Sequence, residues 1–246
     1  MVAILHVERL CLKAFAVKIG SLLLLVTSPT MNSVNLWTSA SHALGYLTKA
    51  EQIPHRTEGE AVLLETVPTT VKRVLDLGTG DGRLLALLKI ERPHVQSIAL
   101  DFSPTMLGKA RTRFAGDATV TVIEHNLDEC LPDLGSFDAV VSSFAIHHLN
   151  DERKRTLYTE IFNLLEPGGV FCNLEHVASP TPALHQRFRR ELGISLEPED
   201  PSNKLLDVET QLSWLKDIGF TDVDCYWKWL ELALLVGVKP LTFGKT

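Results

Sequence analysis

The sequence predicts an α/β protein built on a parallel β-sheet that helices cover on both faces. Two observations support this prediction. Five short apolar segments alternate with segments of helical periodicity between residues 71 and 174. Such alternation is typical of βαβ units, whose strands run parallel. With 246 residues, the chain is long enough for one well-buried domain of this kind and short for two.

A glycine-rich turn lies between the first strand and the helix after it. Residues 71–77 are rich in β-branched and aliphatic side chains and predict a strand, whereas residues 83–90 are rich in Leu, Ala and Lys and predict a helix. Gly78, Gly80 and Gly82 lie between them. Glycine allows a positive φ and a close approach of ligand to backbone, and a helix start supplies unpaired N–H groups. The turn therefore predicts a site for a nucleotide-bearing ligand.

Four further strands are predicted, each followed or preceded by a helix signal. They are residues 97–101, 119–125, 137–144 and 170–174. Ser103 suits a helix cap and Pro104 the first helical position. Asn150 suits the cap of an amphipathic helix, which we expect to end at the glycines 168–169. Its predicted apolar face comprises Leu157, Ile161, Leu164 and Leu165.

The segments outside this core have different compositions. Residues 1–30 are apolar but interrupted by charges, and we expect an N-terminal extension that is disordered or dispensable, with a weak targeting segment or an accessory helix as alternatives. Residues 31–246 are predicted to form the functional domain. Thr57 and Glu60 fit a capping box before its first strand. Residues 178–207 contain four prolines and a basic stretch, and we expect them to form a helical cap over the site.

The end of the chain predicts one more helix, over residues 208–218 and closed by Gly219. Residues 220–229 and 230–238 then predict an antiparallel pair of strands.

Charge and cysteine content limit the classes of partner. The net charge of −6 argues against a protein that coats nucleic acid or an anionic membrane. The four cysteines show no CxxC spacing, so neither a zinc site nor a disulfide framework is predicted. We therefore expect a cytoplasmic protein without a metal and without a membrane partner. The oligomeric state stays open.

The glycine spacing decides among nucleotide-bearing ligands. A dinucleotide fingerprint, G-x-G-x-x-G, would need glycine at position 83, where Arg83 stands. There is also no G-K-[ST] for a triphosphate. The pattern present is D-x-G-x-G-x-G, which begins at Asp76, and Asp101 ends the next strand. A carboxylate in that place can accept hydrogen bonds from the hydroxyls of a ribose.

Taken together, these motifs resemble the class I S-adenosylmethionine-dependent methyltransferases over about residues 37–239. The segments "VLDLGTGDG", "ALDFSPTML", "EHNLDE", "FDAVVSSFAIHHL" and "LLEPGGVF" are similar to that family's successive motifs and stand in its order. The resemblance implies a Rossmann-like, doubly wound, seven-stranded and mostly parallel sheet with a reversed C-terminal hairpin. It also implies S-adenosyl-L-methionine as the cofactor.

The resemblance implies a set of cofactor contacts at the first two motifs. The resemblance implies that Gly78 and Gly80 contact the methionine part of the cofactor through their backbone and that Asp76 orients it. Thr79, in the same loop, is included in the expected site. Asp101 would bind the ribose hydroxyls.

The later motifs supply the remaining contacts. Phe102 follows the second strand and joins the expected cofactor site. Asn126 and Leu127 would flank the adenine, although the family often has Asp where Asn126 stands. Ser143 and Phe144 would lie beside the sulfonium end.

Polar residues after the fourth and fifth strands are the candidates for catalysis. His147 and His148 follow the fourth strand, and Glu175 and His176 end the fifth. A histidine here could contact substrate or act as a base, or it could pack or cap the next helix. A metal site made of the four lacks helical ligand spacing. Arg56 would pair with the cofactor carboxylate, or it is a solvated charge at a helix end.

The expected function is transfer of a methyl group from S-adenosyl-L-methionine to a small-molecule metabolite by in-line displacement. Three alternatives stay open: modification of tRNA wobble uridine, synthesis of carboxy-S-adenosylmethionine, and a cofactor-binding protein without transfer activity. A dehydrogenase would need a nicotinamide site, against which Arg83 argues. The substrate partner is expected to be a small molecule rather than nucleic acid, because the basic footprint is confined to residues 153–155 and the cap arginines.

Overall fold

A computed structural model describes residues 36–50 and 52–241 of the chain. The predicted extension, residues 1–30, lies outside the described residues. The strands are β1 (Arg73–Leu77), β2 (Gln96–Asp101), β3 (Val120–Glu124), β4 (Phe137–Ser143), β5 (Leu165–His176), β6 (Thr221–Trp229) and β7 (Leu232–Val238). The helices are α1 (Ala40–Ala50), α2 (Arg56–Thr66), α3 (Arg83–Glu91), α4 (Pro104–Arg113), α5 (Asp151–Leu164), α6 (Pro182–Glu191) and α7 (Val208–Ile218).

The seven strands form one sheet in the order β3-β2-β1-β4-β5-β7-β6. The five strands from β3 to β5 are parallel, whereas β7 is antiparallel to both β5 and β6. The prediction of a Rossmann-like doubly wound sheet with a reversed C-terminal hairpin is confirmed. The strand order reverses between β1 and β4, and ligands of such sheets bind at the carboxyl ends of the strands beside that point.

The core lies on both faces of the sheet because the central strands bury consecutive apolar residues rather than alternate ones, as at residues 74–75 of β1 and 139–141 of β4. Val74 belongs to the apolar cluster on the face covered by α2 and α3, and its neighbour Leu75 to the cluster on the face covered by α5 and α7. Leu157 and Ile161 of the predicted apolar face of α5 are fully buried in the second cluster.

Two predicted details at helix ends are wrong. The glycines 168–169 do not end α5, because the chain enters β5 at Leu165, directly after the helix. Gly168 N–H donates to the carbonyl of Lys239, and Lys239 N–H donates to that of Gly169, so these glycines pair with the residue after β7 within β5, where Gly168 has a φ of 83°. The capping box is also absent: α2 begins at Arg56 after His55, and Glu60 forms ion pairs instead.

The predicted caps at Asn150 and Gly219 are present, whereas the side-chain cap at Ser103 is not formed. Asn150 caps α5 by accepting a hydrogen bond from Arg153 N at 2.8 Å. Ser103 and Pro104 occupy the predicted positions at the start of α4, but the Ser103 hydroxyl makes no capping bond. Gly219 ends α7 with a φ of 118°.

The segment 178–207 consists of α6 and an irregular stretch that returns to α7. No helix in the part of the chain described here is long and apolar enough to cross a membrane.

Candidate functional site

The glycine turn at the end of β1 is tightly packed on one side and open on the other. Gly78, Gly80 and Gly82 have φ angles of 67°, 58° and 84°, in the left-handed region that favours glycine. A Cβ atom placed on Gly78 would lie 2.2 Å from the Cβ of Ala145, which follows β4. A Cβ on Gly80 would meet nothing within 4 Å. The turn therefore leaves room beside Gly80 for another molecule to contact its backbone.

Asp76 supports this turn from within β1. Its carboxylate is almost fully buried and accepts a hydrogen bond from the Thr79 hydroxyl at 2.6 Å. Thr79 N–H donates to the carbonyl of Leu100 at 2.8 Å. Burial raises the pKa of Asp76 to about 7, although the Thr79 hydrogen bond opposes the shift. Asp76 and Thr79 thus fix the conformation in which the glycine turn leaves the sheet.

Asp101, at the end of β2, connects two loops. One carboxylate oxygen accepts a hydrogen bond from Gly80 N and the other from Ser103 N, both at 2.8 Å. Burial raises the pKa of Asp101 above its usual range, although these backbone hydrogen bonds act against the shift. Phe102 lies between Asp101 and Ser103 in the chain and is half-buried. The structure therefore brings together the predicted residues of the first two motifs.

The loop after β3 contributes the next predicted pair. Leu127 is buried and packs in the same apolar cluster as Leu77 and Leu100. The Asn126 side chain accepts a hydrogen bond from Asp128 N at 3.0 Å, which forms a turn. Leu127 therefore lies against the sheet close to the glycine turn, while Asn126 shapes the loop.

Ser143 ends β4, and Phe144 follows it directly. Phe144 has a φ of 54°, which is rare for a bulky residue, and its N–H donates to the carbonyl of Leu174 at 2.8 Å. The Arg56 guanidinium lies 5.3 Å from the centre of the Phe144 ring. The hydroxyl of Ser143 is buried and has no hydrogen-bond partner among the described residues. A strained backbone and an unsatisfied hydroxyl at one strand end are typical of a ligand site.

Arg56 is buried rather than solvated, so the second hypothesis for this residue is wrong. Its Nε donates to Glu60 at 2.9 Å, and Glu60 also binds Arg83. Tyr46 packs against the same group, and burial raises the pKa of its phenol even though Arg56 lowers it. The arginine is therefore held by α2 in a fixed position over Phe144.

His147 and Glu175 form a buried pair at the ends of β4 and β5. His147 belongs to a short 3₁₀ helix, Ile146–His148, and its Nδ1 lies 2.6 Å from Glu175 Oε1. Burial raises the pKa of Glu175 to about 7 and moves the pKa of His147 well below its usual value. The second oxygen of Glu175 is buried without a hydrogen-bond partner among the described residues.

His148 contacts the segment 178–207 rather than a sheet residue. Its Nδ1 lies 3.2 Å from both the backbone carbonyl and the hydroxyl of Ser202. Burial, with a further contribution from His147, lowers the pKa of His148 to about 3. The imidazole is therefore neutral at physiological pH.

His176 joins a network that the sequence did not reveal. Its Nε2 lies 3.0 Å from Glu231, whose other oxygen contacts His185 Nδ1 at 2.7 Å and the hydroxyl of Ser179. Glu231 is fully buried, which would raise its pKa, but the hydrogen bonds from His176, Ser179 and His185 lower it. A single acid between two apolar runs, in "LELALL", was the available sequence signal.

In the described ranges, no group of three or more His, Cys, Asp or Glu side chains could hold a metal ion.

Comparison with known proteins agrees with this geometry. A family profile for a methyltransferase domain matches residues 74–169. A demethylmenaquinone methyltransferase of Clavibacter sepedonicus is 31% identical over 172 residues, which cover 64% of this chain and 69% of that protein. The chain belongs to the class I S-adenosylmethionine-dependent methyltransferases. It is accordingly an enzyme that uses S-adenosyl-L-methionine as its cofactor.

Two further similarities extend the comparison. A carboxy-S-adenosyl-L-methionine synthase of Helicobacter hepaticus is 28% identical over 192 residues, which cover 72% of this chain and 80% of that protein. Human N-acetylserotonin methyltransferase, solved in complex with S-adenosylmethionine, has a TM-score of 0.61 at 19% identity. That match covers 83% of this methyltransferase and 58% of the human chain, and it shows the shared fold.

Proposed function

We propose that this methyltransferase methylates a small-molecule acceptor whose proton is taken up by the His147–Glu175 pair. The observation that carries the proposal is the 2.6 Å contact between these side chains at the ends of β4 and β5. His147 lies two residues after Ala145, whose Cβ packs against the glycine turn at Gly78. A proton acceptor therefore lies next to the proposed cofactor site.

The residues at the strand ends fit the cofactor. The open space beside Gly80 accommodates its methionine part, and Asp76 fixes the turn. Asp101 lies at the end of β2, where a carboxylate oxygen can accept hydrogen bonds from a ribose. The unsatisfied hydroxyl of Ser143 and the ring of Phe144 would lie beside the sulfonium.

The outer parts of the cofactor would contact three further positions. Asn126 and Leu127 would flank the adenine from the loop after β3. Arg56 would face the cofactor carboxylate, although Glu60 already balances part of its charge.

Methyl transfer requires that the acceptor atom be aligned with the methyl group. For some acceptors, it also requires removal of a proton. The bound cofactor supplies an electrophilic methyl group and a good leaving group. When His147 Nδ1–H donates to Glu175, the other ring nitrogen is free to accept a proton from the acceptor. Segment 178–207 contacts this site through Ser202 and Lys204, and it would exclude water. His176 holds Glu231 beside the pair and would support the pocket rather than react.

A small acceptor is favoured over RNA by the disposition of the basic residues. Arg153 and Lys154, two of the three in the 153–155 cluster, are buried in ion pairs with Glu160 and Asp151. They are therefore not free to contact a phosphate backbone. A cytoplasmic location is part of this proposal and rests on the charge and cysteine pattern of the sequence.

A second candidate is synthesis of carboxy-S-adenosylmethionine. The relative of that name covers a larger share of this chain than the demethylmenaquinone methyltransferase does, 72% against 64%. In that case the cofactor itself would be modified, and no methyl group would leave it.

Methyl transfer can be tested by incubating the protein with methyl-labelled S-adenosylmethionine and an extract of its host. We expect label in the small-molecule fraction. His147→Ala should lower transfer by about a hundredfold or more, because a general base contributes at least that much. The exposed residue His94 provides a matched control, and His94→Ala should transfer label at the wild-type rate.

Calorimetric binding of S-adenosylhomocysteine to each variant shows whether the cofactor site is intact. Label in RNA would overturn the proposed acceptor class. A carboxylated cofactor found by mass spectrometry, without labelled product, would establish the second candidate. Tight binding without any product would indicate a protein that binds the cofactor but does not transfer.

A further inference from the structure

The loop that carries Asn126 and Leu127 has little regular structure of its own. Its last backbone bond to the sheet is His125 N–H to the carbonyl of Asp101, at 2.8 Å. Beyond it, residues 125–136 form no helix or strand. A turn closes the beginning of the loop, with Glu129 N donating to the carbonyl of Asn126 at 2.9 Å. The position of this loop must therefore depend on contacts from other elements.

Arg153 of α5 supplies two of these contacts. Its Nε donates to the carbonyl of Leu127 at 2.6 Å, and its Nη2 donates to the carbonyl of Glu129 at 2.7 Å. The side chain is 10% exposed, so solvent competes little with these bonds. Because a guanidinium is planar and carries its donors in a rigid fork, the two carbonyls are held at a fixed separation.

Glu160, two turns further along α5, holds the guanidinium in place and adds a third contact. Its two oxygens accept from Arg153 Nη1 at 2.6 Å and from Nη2 at 2.9 Å. One of these oxygens also accepts a hydrogen bond from Leu131 N at 3.0 Å. The ion pair therefore binds the loop at three backbone atoms within residues 127–131.

We infer that the Arg153–Glu160 pair positions the adenine-binding loop and so determines the affinity and the base selectivity for the cofactor without contacting it. The inference rests on the proposed function, in which Asn126 and Leu127 flank the adenine. The Leu127 carbonyl is bound from α5 while the Leu127 side chain packs in the apolar core beside the glycine turn. Loss of the pair would release the edge of the pocket that contacts the base and leave the glycine turn in place.

The test compares binding of S-adenosylhomocysteine and its inosine analogue, S-inosylhomocysteine, by titration calorimetry. In Arg153→Lys, an ammonium replaces the fork, and we expect the Kd for S-adenosylhomocysteine to rise about tenfold or more. Glu160→Gln keeps an acceptor for Leu131 N but loses the charge, so a smaller rise is expected. Arg155→Lys is the control, because Arg155 lies on the same helix, is largely exposed and is 3.9 Å from Asp217.

Selectivity and kinetics separate positioning of the loop from a general effect on the fold. In Arg153→Lys, the ratio of the two Kd values should move toward one, and the KM for S-adenosylmethionine should rise while kcat at saturation is unchanged. An unchanged ratio, or equal losses of kcat and of affinity for both ligands, would overturn the inference. If the wild-type protein fails to bind S-adenosylhomocysteine, the proposed cofactor contacts themselves are wrong.

Discussion

Gly78 shows how a single residue limits what this site tolerates. Its φ of 67° disfavours any L side chain, and the Cβ of Ala145 occupies the space that a new Cβ would need. We expect Gly78→Ala to lower the free energy of unfolding by about 2–4 kcal/mol, from left-handed strain and overpacking together. Binding of S-adenosylhomocysteine should also be lost, since the turn has to move. Urea unfolding and calorimetry measure the two effects.

A second glycine, Gly116, allows the cost of backbone strain to be measured without a steric clash. Gly116 has a φ of 86°, but a Cβ atom placed on it would meet no other atom within 4 Å, so Gly116→Ala should cost only about 1 kcal/mol. Equal losses of stability in the two variants would contradict the role assigned to the contact with Ala145.

At the scale of elements, a buried acid links α6 to the sheet beside the apolar contacts of Phe188. Glu231, directly before β7, contacts His185 of α6 and His176 of β5. We expect His185→Ala to increase the hydrogen exchange of α6 amides relative to those of α7. Arg187→Ala is a suitable control, because Arg187 is exposed and pairs within its own helix, with Glu191 at 3.9 Å. Unchanged exchange in His185→Ala would show that apolar contacts alone hold the helix.

The same contact predicts a dependence on pH. The hydrogen bond to Glu231 raises the pKa of His185, so the stability that this histidine contributes is present below its unfolded pKa and lost as pH rises through the folded value. The pKa of Glu231 is lowered, so its contribution is lost only as pH falls through that lowered value. Protection of α6 should therefore decrease above about pH 6.5, the ordinary pKa of histidine, and this decrease should be absent in His185→Ala.

At the scale of the whole molecule, we propose that residues 31–246 are sufficient for folding and cofactor binding. Ligand at a hundred times its Kd stabilises a protein by about 2.7 kcal/mol, which corresponds to a rise in Tm of about 5–10 °C for a chain of this size. S-adenosylhomocysteine should produce the same rise in the full chain and in a chain that lacks residues 1–30. A smaller rise in the shortened chain would show that the N-terminal segment contributes to the site.

The sequence by itself determined the sheet and the glycine turn that follows its first strand. Alternating apolar segments, the glycine turn and the acid at the end of β2 are local signals, because strand formation, left-handed turns and helix caps depend on neighbouring residues. For this reason the order of the elements, the Asn150 cap and the reversed hairpin were predicted correctly. The capping box at Thr57 was wrong because Glu60 gains more from two arginines, Arg56 and Arg83, than from a backbone N–H.

Only the tertiary structure decided which polar residues act together. The partners in the pairs His147 with Glu175, and Glu231 with His185, are 28 and 46 residues apart in the chain. The spacing of residues along the chain does not predict contacts over such separations. Two residues of the same type can therefore have different partners. His147 contacts the carboxylate of Glu175, whereas His148 contacts Ser202 of the segment 178–207. Their environments differ because the 3₁₀ helix directs adjacent side chains toward different elements of the fold, and burial then sets the pKa of each group.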